Sequence, residues 1–390
     1  MTQASTVNNN KADAKKVLVY GTGFAGQGHA AAFRDAGAEV VGIVGRTEKV
    51  VEEVAAKLDI PYFGTNWQLA LEVCKPDIVA IATPGGAHVE PIKDAIQFGC
   101  HVFCDKPLTE SGESAVEIYR LAQKRGVKTA FASSFRYMPN IIHAKQLVEQ
   151  GAIGEPLEVE CISHFNLDRY IPFGWSHEQA AGGGRLNNNF THLLSIVTSV
   201  VGENILSICG EVRNDMPKAP VVSGVHNFTE RRNFIPKDID DPNLEWRDCD
   251  VEWSYTVMAQ VESRIETANP VSVLFKHGGL VPRFNDDHIV FHGSKGSIYI
   301  KGHYGGGPLY LWDGAQWQEQ TLPAEISALL PDIDDDTQRS WTHLARLLVN
   351  DISGNGDEAY QTFEDGCRYQ QIIDLIRKND RWVDVRKLLD

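Results

Sequence analysis

Apolar positions along this chain follow two regimes that change near residue 137. Before that point, short continuous apolar runs alternate with segments of helical period. Val17-Leu18-Val19-Tyr20, Val40-Val41-Gly42-Ile43-Val44, Asp77-Ile78-Val79-Ala80-Ile81-Ala82, His101-Val102-Phe103-Cys104 and residues 128–132 read as strands buried on both faces. Residues 48–58, 88–98 and 111–125 read as helices, the last two closed by Gly99 and Gly126. Such alternation predicts a parallel sheet with helices on both faces.

Beyond residue 137 the period changes. A helix at 141–150 stops at Gly151, and residues 157–166 then alternate with the period of two that marks a half-buried strand. Further strands are predicted at 205–212, 251–262, 271–277, 288–293, 297–301 and 309–312, a succession that implies a largely antiparallel sheet. Residues 214–250 form a long polar stretch rich in Pro, Arg and Asp, expected to be a lobe or loop over the site or an oligomer contact. Helices at 337–350 and 358–377 finish the chain.

Composition narrows the class. A chain of 390 residues is long enough for two domains. Its net charge of −15 excludes a broad basic face for nucleic acid. No apolar run approaches the roughly 20 residues of a membrane span. The 7 cysteines are scattered and unpaired in sequence, which argues against a disulfide framework or zinc site and for a reducing compartment, the cytoplasm. Residues 1–14 are polar and read as a flexible tail without a signal core. The acidic run Asp332-Ile333-Asp334-Asp335-Asp336 matches no calcium-loop spacing and reads as a solvated loop, so no metal site is expected.

The candidate chemistry starts where the first strand breaks into Gly21-Thr22-Gly23-Phe24-Ala25-Gly26 and a helix follows. In a dinucleotide-binding unit the first glycine makes the turn, the second admits the pyrophosphate to the backbone, and the third lets helix pack on strand. After the second strand, about 20 residues on, an acid would bind the 2'-hydroxyl of NAD. Gly45-Arg46-Thr47 stands there instead, and Arg46 can pair with a 2'-phosphate, so NADP is preferred over NAD. The competing reading is a solvated Arg46 beside a Thr47 that caps helix 48–58. Ligands of open parallel sheets lie beyond the strands' carboxyl ends, which brings Gly21, Arg46, Thr83 and Lys106 to one cleft. Lys106, between an apolar strand and Pro107, could hold a substrate oxygen and exchange its proton. In Gly182-Gly183-Gly184-Arg185-Leu186-Asn187-Asn188-Asn189-Phe190-Thr191-His192, residues Asn188 and His192 share a helical face. His192 suits acid/base work or a hydrogen-bonded core equally well.

Together these motifs resemble the Gfo/Idh/MocA oxidoreductases over nearly the whole chain. The resemblance rests on the glycine turn with His29, Thr83-Pro84 with His88, Cys104-Asp105-Lys106-Pro107, Phe135-Arg136-Tyr137 with Pro139, Gly151-Ala152-Ile153-Gly154, Trp175, the triple glycine, His192, and Phe363-Glu364-Asp365-Gly366. It implies an α/β Rossmann domain (15–136), then an α+β domain with a large open, mostly antiparallel sheet (137–390) that often forms oligomer interfaces. It also implies hydride transfer between NAD(P) and a sugar, polyol or related hydroxy or keto compound. Lys106 matches the family's active-site lysine and His192 its histidine, with Asn188 beside them. The dinucleotide site is expected to comprise Gly21, Gly23, Phe24, Ala25, Gly26, Arg46, Thr47, Thr83, Pro84, His88, Asp105 and Lys106. A homodimer or homotetramer is expected. This chain departs from the pattern at Asp105, where Glu is usual, at Asn188, where Asp is usual, and at Phe190 and Ser195. An amide cannot accept a proton, so His192 is left as base with Lys106 polarising the oxygen. Two other functions stay open: a dinucleotide-binding regulator or partner protein that has lost the chemistry, and an NAD-dependent glycoside-cleaving enzyme.

Overall fold

The alternating first segment forms a parallel sheet because its apolar runs are buried on both faces. The computed structural model describes residues 14–225, 228–266, 269–282, 287–356, 359–378 and 381–389. All but the last residue of the expected tail lies outside them, as does the predicted helix start at Glu358. In chain order come β1 (Lys16–Tyr20), α1 (Phe24–Asp35), β2 (Glu39–Val44), α2 (Glu48–Leu58), β3 (Tyr62–Gly64), α3 (Trp67–Cys74), β4 (Ile78–Ile81), α4 (Val89–Phe98), β5 (His101–Asp105), α5 (Gly112–Arg125) and β6 (Thr129–Ala132). The strand order is β3-β2-β1-β4-β5-β6, with every pair parallel. The chain reverses direction across the sheet between β1 and β4, which opens a crevice at their carboxyl ends. The short β3 and α3 are additions to the sequence reading. A three-residue edge strand carries too little periodicity to be seen.

The second segment runs α6 (Pro139–Glu149), β7 (Pro156–His164), α7 (Thr191–Val201), β8 (Ile205–Arg213), β9 (Lys218–Pro220), β10 (Trp246–Asp248), β11 (Ser254–Val261), β12 (Val271–Gly278), β13 (His288–Gly293), β14 (Ser297–Lys301), β15 (Leu309–Trp312), β16 (Trp317–Glu319), α8 (Ala324–Leu329), α9 (Asp336–Ile352), α10 (Phe363–Lys378) and β17 (Val383–Asp384). Nine strands form one sheet, ordered β16-β15-β14-β13-β7-β12-β11-β8-β17, antiparallel except where β7 meets β12. The period of two appears directly in β11, where Val257, Ala259 and Val261 are buried while Met258 is exposed. β9 and β10 pair with each other within the polar stretch 214–250, over a small core of Ile171, Met216, Ala219, Cys249, Val251 and Trp253.

The last two long helices return to the first segment. Trp341, Leu344 and Leu348 of α9 share a core with Val17, Phe33 and Phe103, and α10 packs on α5. A Cβ on Gly28 would lie 2.2 Å from the Trp341 ring, so α1 admits that indole only because it lacks a side chain there. The acidic run starts this helix: Asp335 accepts from the Gln338 N–H at 2.7 Å, and Asp336 pairs with Arg339. A second buried cluster joins Leu18 and Val79 of the first sheet, through Leu193 and Ile196 of α7, to Val257 and Phe275 of the second. This shared core fixes the first sheet against the second.

Candidate active site

Three glycines build the first wall, each for a different reason. Gly21 has φ +119°, and a Cβ there would sit 2.4 Å from Ala82 O. A Cβ on Gly26 would lie 1.9 Å from Gly21 O, so α1 could not close on the turn. Around Gly23 no protein atom comes within 4 Å of the Cβ position. Gly23 is also the N-cap of α1, with no capping side chain and no acid in the first turn. An uncapped helix start facing open space beside glycine backbone fits the pyrophosphate of a dinucleotide. Phe24, 55% exposed, leans on Trp341 with ring centroids 5.4 Å apart, next to the half-buried Ala25.

Arg46 and Thr47 are exposed at the end of β2. Thr47 occupies the N-cap position of α2, yet its side chain makes no capping hydrogen bond. The capping alternative therefore loses its physical basis. Beyond β4, Thr83 and Pro84 are half-buried, and Thr83 Oγ1 has no partner among the described residues. His88 is fully buried: its Nε2 lies 2.6 Å from Thr83 O and its Nδ1 3.1 Å from Leu108 O. It therefore meets the crevice indirectly, by tying the loop after β4 to the loop after β5.

Lys106 follows β5, where Asp105 Oδ1 accepts its backbone N–H at 2.9 Å, and the Lys106–Pro107 peptide bond is cis. The ammonium reaches across the cleft and donates to Asn188 Oδ1 at 3.2 Å. Burial lowers the Lys106 pKa, Asp105 opposes that, and the Arg185 charge adds to it. Asn188 lies in a π-helical turn, Leu186–Phe190, which leads into α7. From Gly182 to Gly202 it is the one residue not buried. The wider turn sends three consecutive asparagines to different partners. Asn187 Oδ1 accepts from Gln370, Asn188 meets Lys106, and Asn189 Nδ2 donates to Tyr304 Oη at 2.9 Å. Such π-turns often mark functional sites.

His192 stacks on Phe135 with centroids 4.2 Å apart and sits 5.0 Å from the Tyr304 ring. Its Nδ1 has no partner among the described residues. Burial, then the charges of Lys106, His303 and Arg185, hold its pKa well below the usual histidine value. The imidazole is therefore neutral at neutral pH, able to accept from a hydroxyl but weakly basic.

The sequence reading missed the opposite wall. Arg185 is buried, its guanidinium 4.3 Å above the Phe165 ring, with Nε donating to His277 Nε2 at 2.9 Å. Tyr304, at φ 51°, stands among Gly302 and Gly305 in a tight turn after β14. Beside it, His303 Nδ1 lies 2.8 Å from Asp287 Oδ2, and the buried Asp287 also accepts the His164 N–H at 2.7 Å. The glycines of residues 302–307 were the available signal for this turn. Nothing local separates Arg185 from a solvated arginine. In the polar stretch, Arg231 reaches inward and donates to Ser176 Oγ at 3.0 Å, so that stretch lies over the triple-glycine loop. No helix among the described residues is long and apolar enough to cross a membrane, and no group of three or more candidate metal ligands occurs among them.

Residues 15–133 match the family model described as "Oxidoreductase family, NAD-binding Rossmann fold". Levoglucosan dehydrogenase of Pseudarthrobacter phenanthrenivorans is 27% identical over 201 residues, 50% of this chain and 51% of that protein. D-xylose dehydrogenase of Paenarthrobacter nicotinovorans is 24% identical over 166 residues, 41% of this chain and 43% of its own. The chain thus spans about half the length of curated relatives it matches. A solved levoglucosan dehydrogenase in complex with NADH and levoglucosan superposes with TM-score 0.80 at 20% identity, covering 95% of this chain and 99% of that one. An Agrobacterium radiobacter oxidoreductase in complex with NAD+, L-tartaric acid and magnesium gives TM-score 0.71 at 17% identity over 95% and 98%. These likenesses establish the fold, a parallel nucleotide-binding sheet followed by a mostly antiparallel one. Residues 141–299 match the GFO/IDH/MocA C-terminal domain, so with both halves present in order the chain belongs to the Gfo/Idh/MocA oxidoreductase family.

Proposed function

We propose that this protein moves hydride between a nicotinamide dinucleotide and the carbinol carbon of a sugar, polyol or related hydroxy or keto compound. The observation that carries the reading is the Lys106 Nζ to Asn188 Oδ1 contact at 3.2 Å beside the neutral His192, at the end of a glycine-built crevice. A bound dinucleotide would supply the hydride acceptor or donor, held by the Gly21–Gly26 turn and the uncapped start of α1. The residues manage the oxygen. The lowered pKa of Lys106 eases proton exchange with a substrate hydroxyl, while Asn188 orients that ammonium and His192 accepts a hydrogen bond from the substrate.

The relatives' printed names support sugar hydroxyls as the substrate class, namely levoglucosan and D-xylose. The family description and a solved relative support NAD, whereas the exposed Arg46, with no acid beside it, leaves room for a 2'-phosphate. A second reading, a dinucleotide-binding regulator, is favoured by Asn188 in place of the usual carboxylate. The galactose/lactose metabolism regulatory protein of Saccharomyces cerevisiae is 24% identical over 241 residues, 59% of this chain and 51% of its own. Retention of both Lys106 and His192 in the crevice favours the enzyme.

The test is calorimetric titration with NADH and NADPH, followed by a panel of sugars, polyols and keto forms read at the nicotinamide absorbance. Turnover of a panel member with tight dinucleotide binding is expected. Tight binding without turnover across a broad panel would favour the regulator. Arg46→Ala should weaken NADPH at least fivefold more than NADH, and equal losses would remove the 2'-phosphate argument.

A further inference from the structure

Arg185 is a buried cation whose counter-charge is missing. The residue is 6% exposed, its guanidinium stacked on Phe165 and its Nε spent on the neutral ring of His277. Nη2 has no partner among the described residues, and Arg185 forms no ion pair among them. Two carboxylates are near enough to act on its charge, Glu252 and Asp287. Glu252 is already taken by Arg377 at 3.0 and 3.1 Å and by the Leu186 N–H at 2.8 Å. Asp287 is taken by His303 and the His164 N–H. Burying a guanidinium costs heavily unless an anion meets it. The cation is also held rigidly, because an aromatic face and a ring nitrogen fix its plane, as a preformed anion clamp requires.

Its place in the fold supplies the rest. Arg185 immediately precedes the π-turn that presents Asn188, and its charge is felt at both Lys106 and His192. A cationic wall in a protein of net charge −15 is a local arrangement, not a consequence of composition. The geometry points to a substrate that carries a carboxylate, a uronic or aldonic acid, anchored by Arg185 while its hydroxyl lies at Lys106 and Asn188. This rests on the hydride-transfer reading above and specifies its substrate. One fixed guanidinium matches a planar monoanion, whereas a phosphate dianion would call for more donors.

The experiment compares matched pairs, glucose with glucuronate and gluconate, galactose with galacturonate, and glucose 6-phosphate as the other anion. The full chain loaded with its preferred dinucleotide is assayed for turnover and, separately, for ligand-induced thermal stabilisation, which needs no chemistry. The acid is expected to exceed its neutral partner at least tenfold in kcat/KM and to stabilise the protein more, with KM rising as salt is added. Arg185→Gln should lower kcat/KM for the acid 10- to 100-fold more than for its neutral partner, mainly through KM. Arg185→Lys, which keeps the charge without the fork, should retain part of the preference and guard against a folding defect in the Gln variant. Equal or better handling of neutral sugars, a preference for the sugar phosphate, or equal losses for acid and neutral partners in Arg185→Gln would overturn the inference. Turnover of neutral sugars alone overturns the carboxylate and leaves hydride transfer standing. Acid-selective stabilisation without any turnover upholds the clamp and counts against hydride transfer.

Discussion

Lys106 combines three properties that no other described lysine shares: a position beyond a central strand, a lowered pKa and a partner on the second segment. Removing its ammonium while keeping its length, as in Lys106→Met, should lower kcat on a confirmed substrate about 10²- to 10⁴-fold, the range of a proton-handling group. Turnover within a few fold of the parent would end the proton-handling role. Asn188→Asp tests the same contact from the other side. A carboxylate in place of the amide would stabilise the charged ammonium and raise the Lys106 pKa, so the ascending limb of the kcat/KM profile should move to higher pH. At this scale Lys106 and His192 were legible as candidates through the motifs around them, since residue type alone left His192 equally suited to a hydrogen-bonded core. The sequence was silent on Arg185, since only burial without a counter-ion distinguishes it from a surface arginine.

Among elements, the strand-turn-helix at residues 16–35 separates folding from binding in a single motif. Gly26→Ala places a methyl 1.9 Å from Gly21 O and should destabilise the fold by about 2 kcal/mol or more, as overpacking against backbone does. Gly23→Ala meets no protein atom within 4 Å, so stability should change by less than about 1 kcal/mol. It should nonetheless weaken dinucleotide binding at least tenfold, because the methyl fills the space the pyrophosphate needs. Urea midpoints and calorimetric affinities on the two variants check this, and loss of stability without loss of binding in Gly23→Ala would sink it. Two elements resisted sequence reading. The π-turn at Leu186–Phe190 has the composition of an ordinary helix start, and only the tertiary partners of Asn187, Asn188 and Asn189 hold it open. Helix α9 reads as the end of the second segment, yet Trp341 belongs to the core of the first.

For the molecule as a whole, acid should be destabilising well before its carboxylates titrate. His29, His177 and His343 are buried, each with a pKa pushed down to about 4, burial being the largest cause. Their folded pKa lies below the unfolded value, so the unfolded chain binds more protons as pH falls below the ordinary histidine value of about 6.5. Stability is thus full above that pH and is lost on descending toward pH 4, by at most about 1.4 kcal/mol per pH unit per histidine. Between pH 7 and 5 the three together account for roughly 5 kcal/mol, a large part of a typical stability. Urea unfolding at the two pH values should show a clear drop in midpoint, and an unchanged midpoint would contradict neutral burial of these rings.

The sequence by itself determined the two sheet regimes, the glycine turn and the strand-end placement of Lys106. Each follows from local rules: apolar period, the backbone freedom of glycine, and the direction of a strand relative to its turn. Tertiary structure alone decided that Lys106 meets Asn188, 82 residues later, and that Arg185, Phe165 and Tyr304 converge around them. It also decided that α9 closes the first sheet. These contacts depend on which apolar faces find each other in the shared core, and such pairing leaves no periodic trace in the residues it brings together.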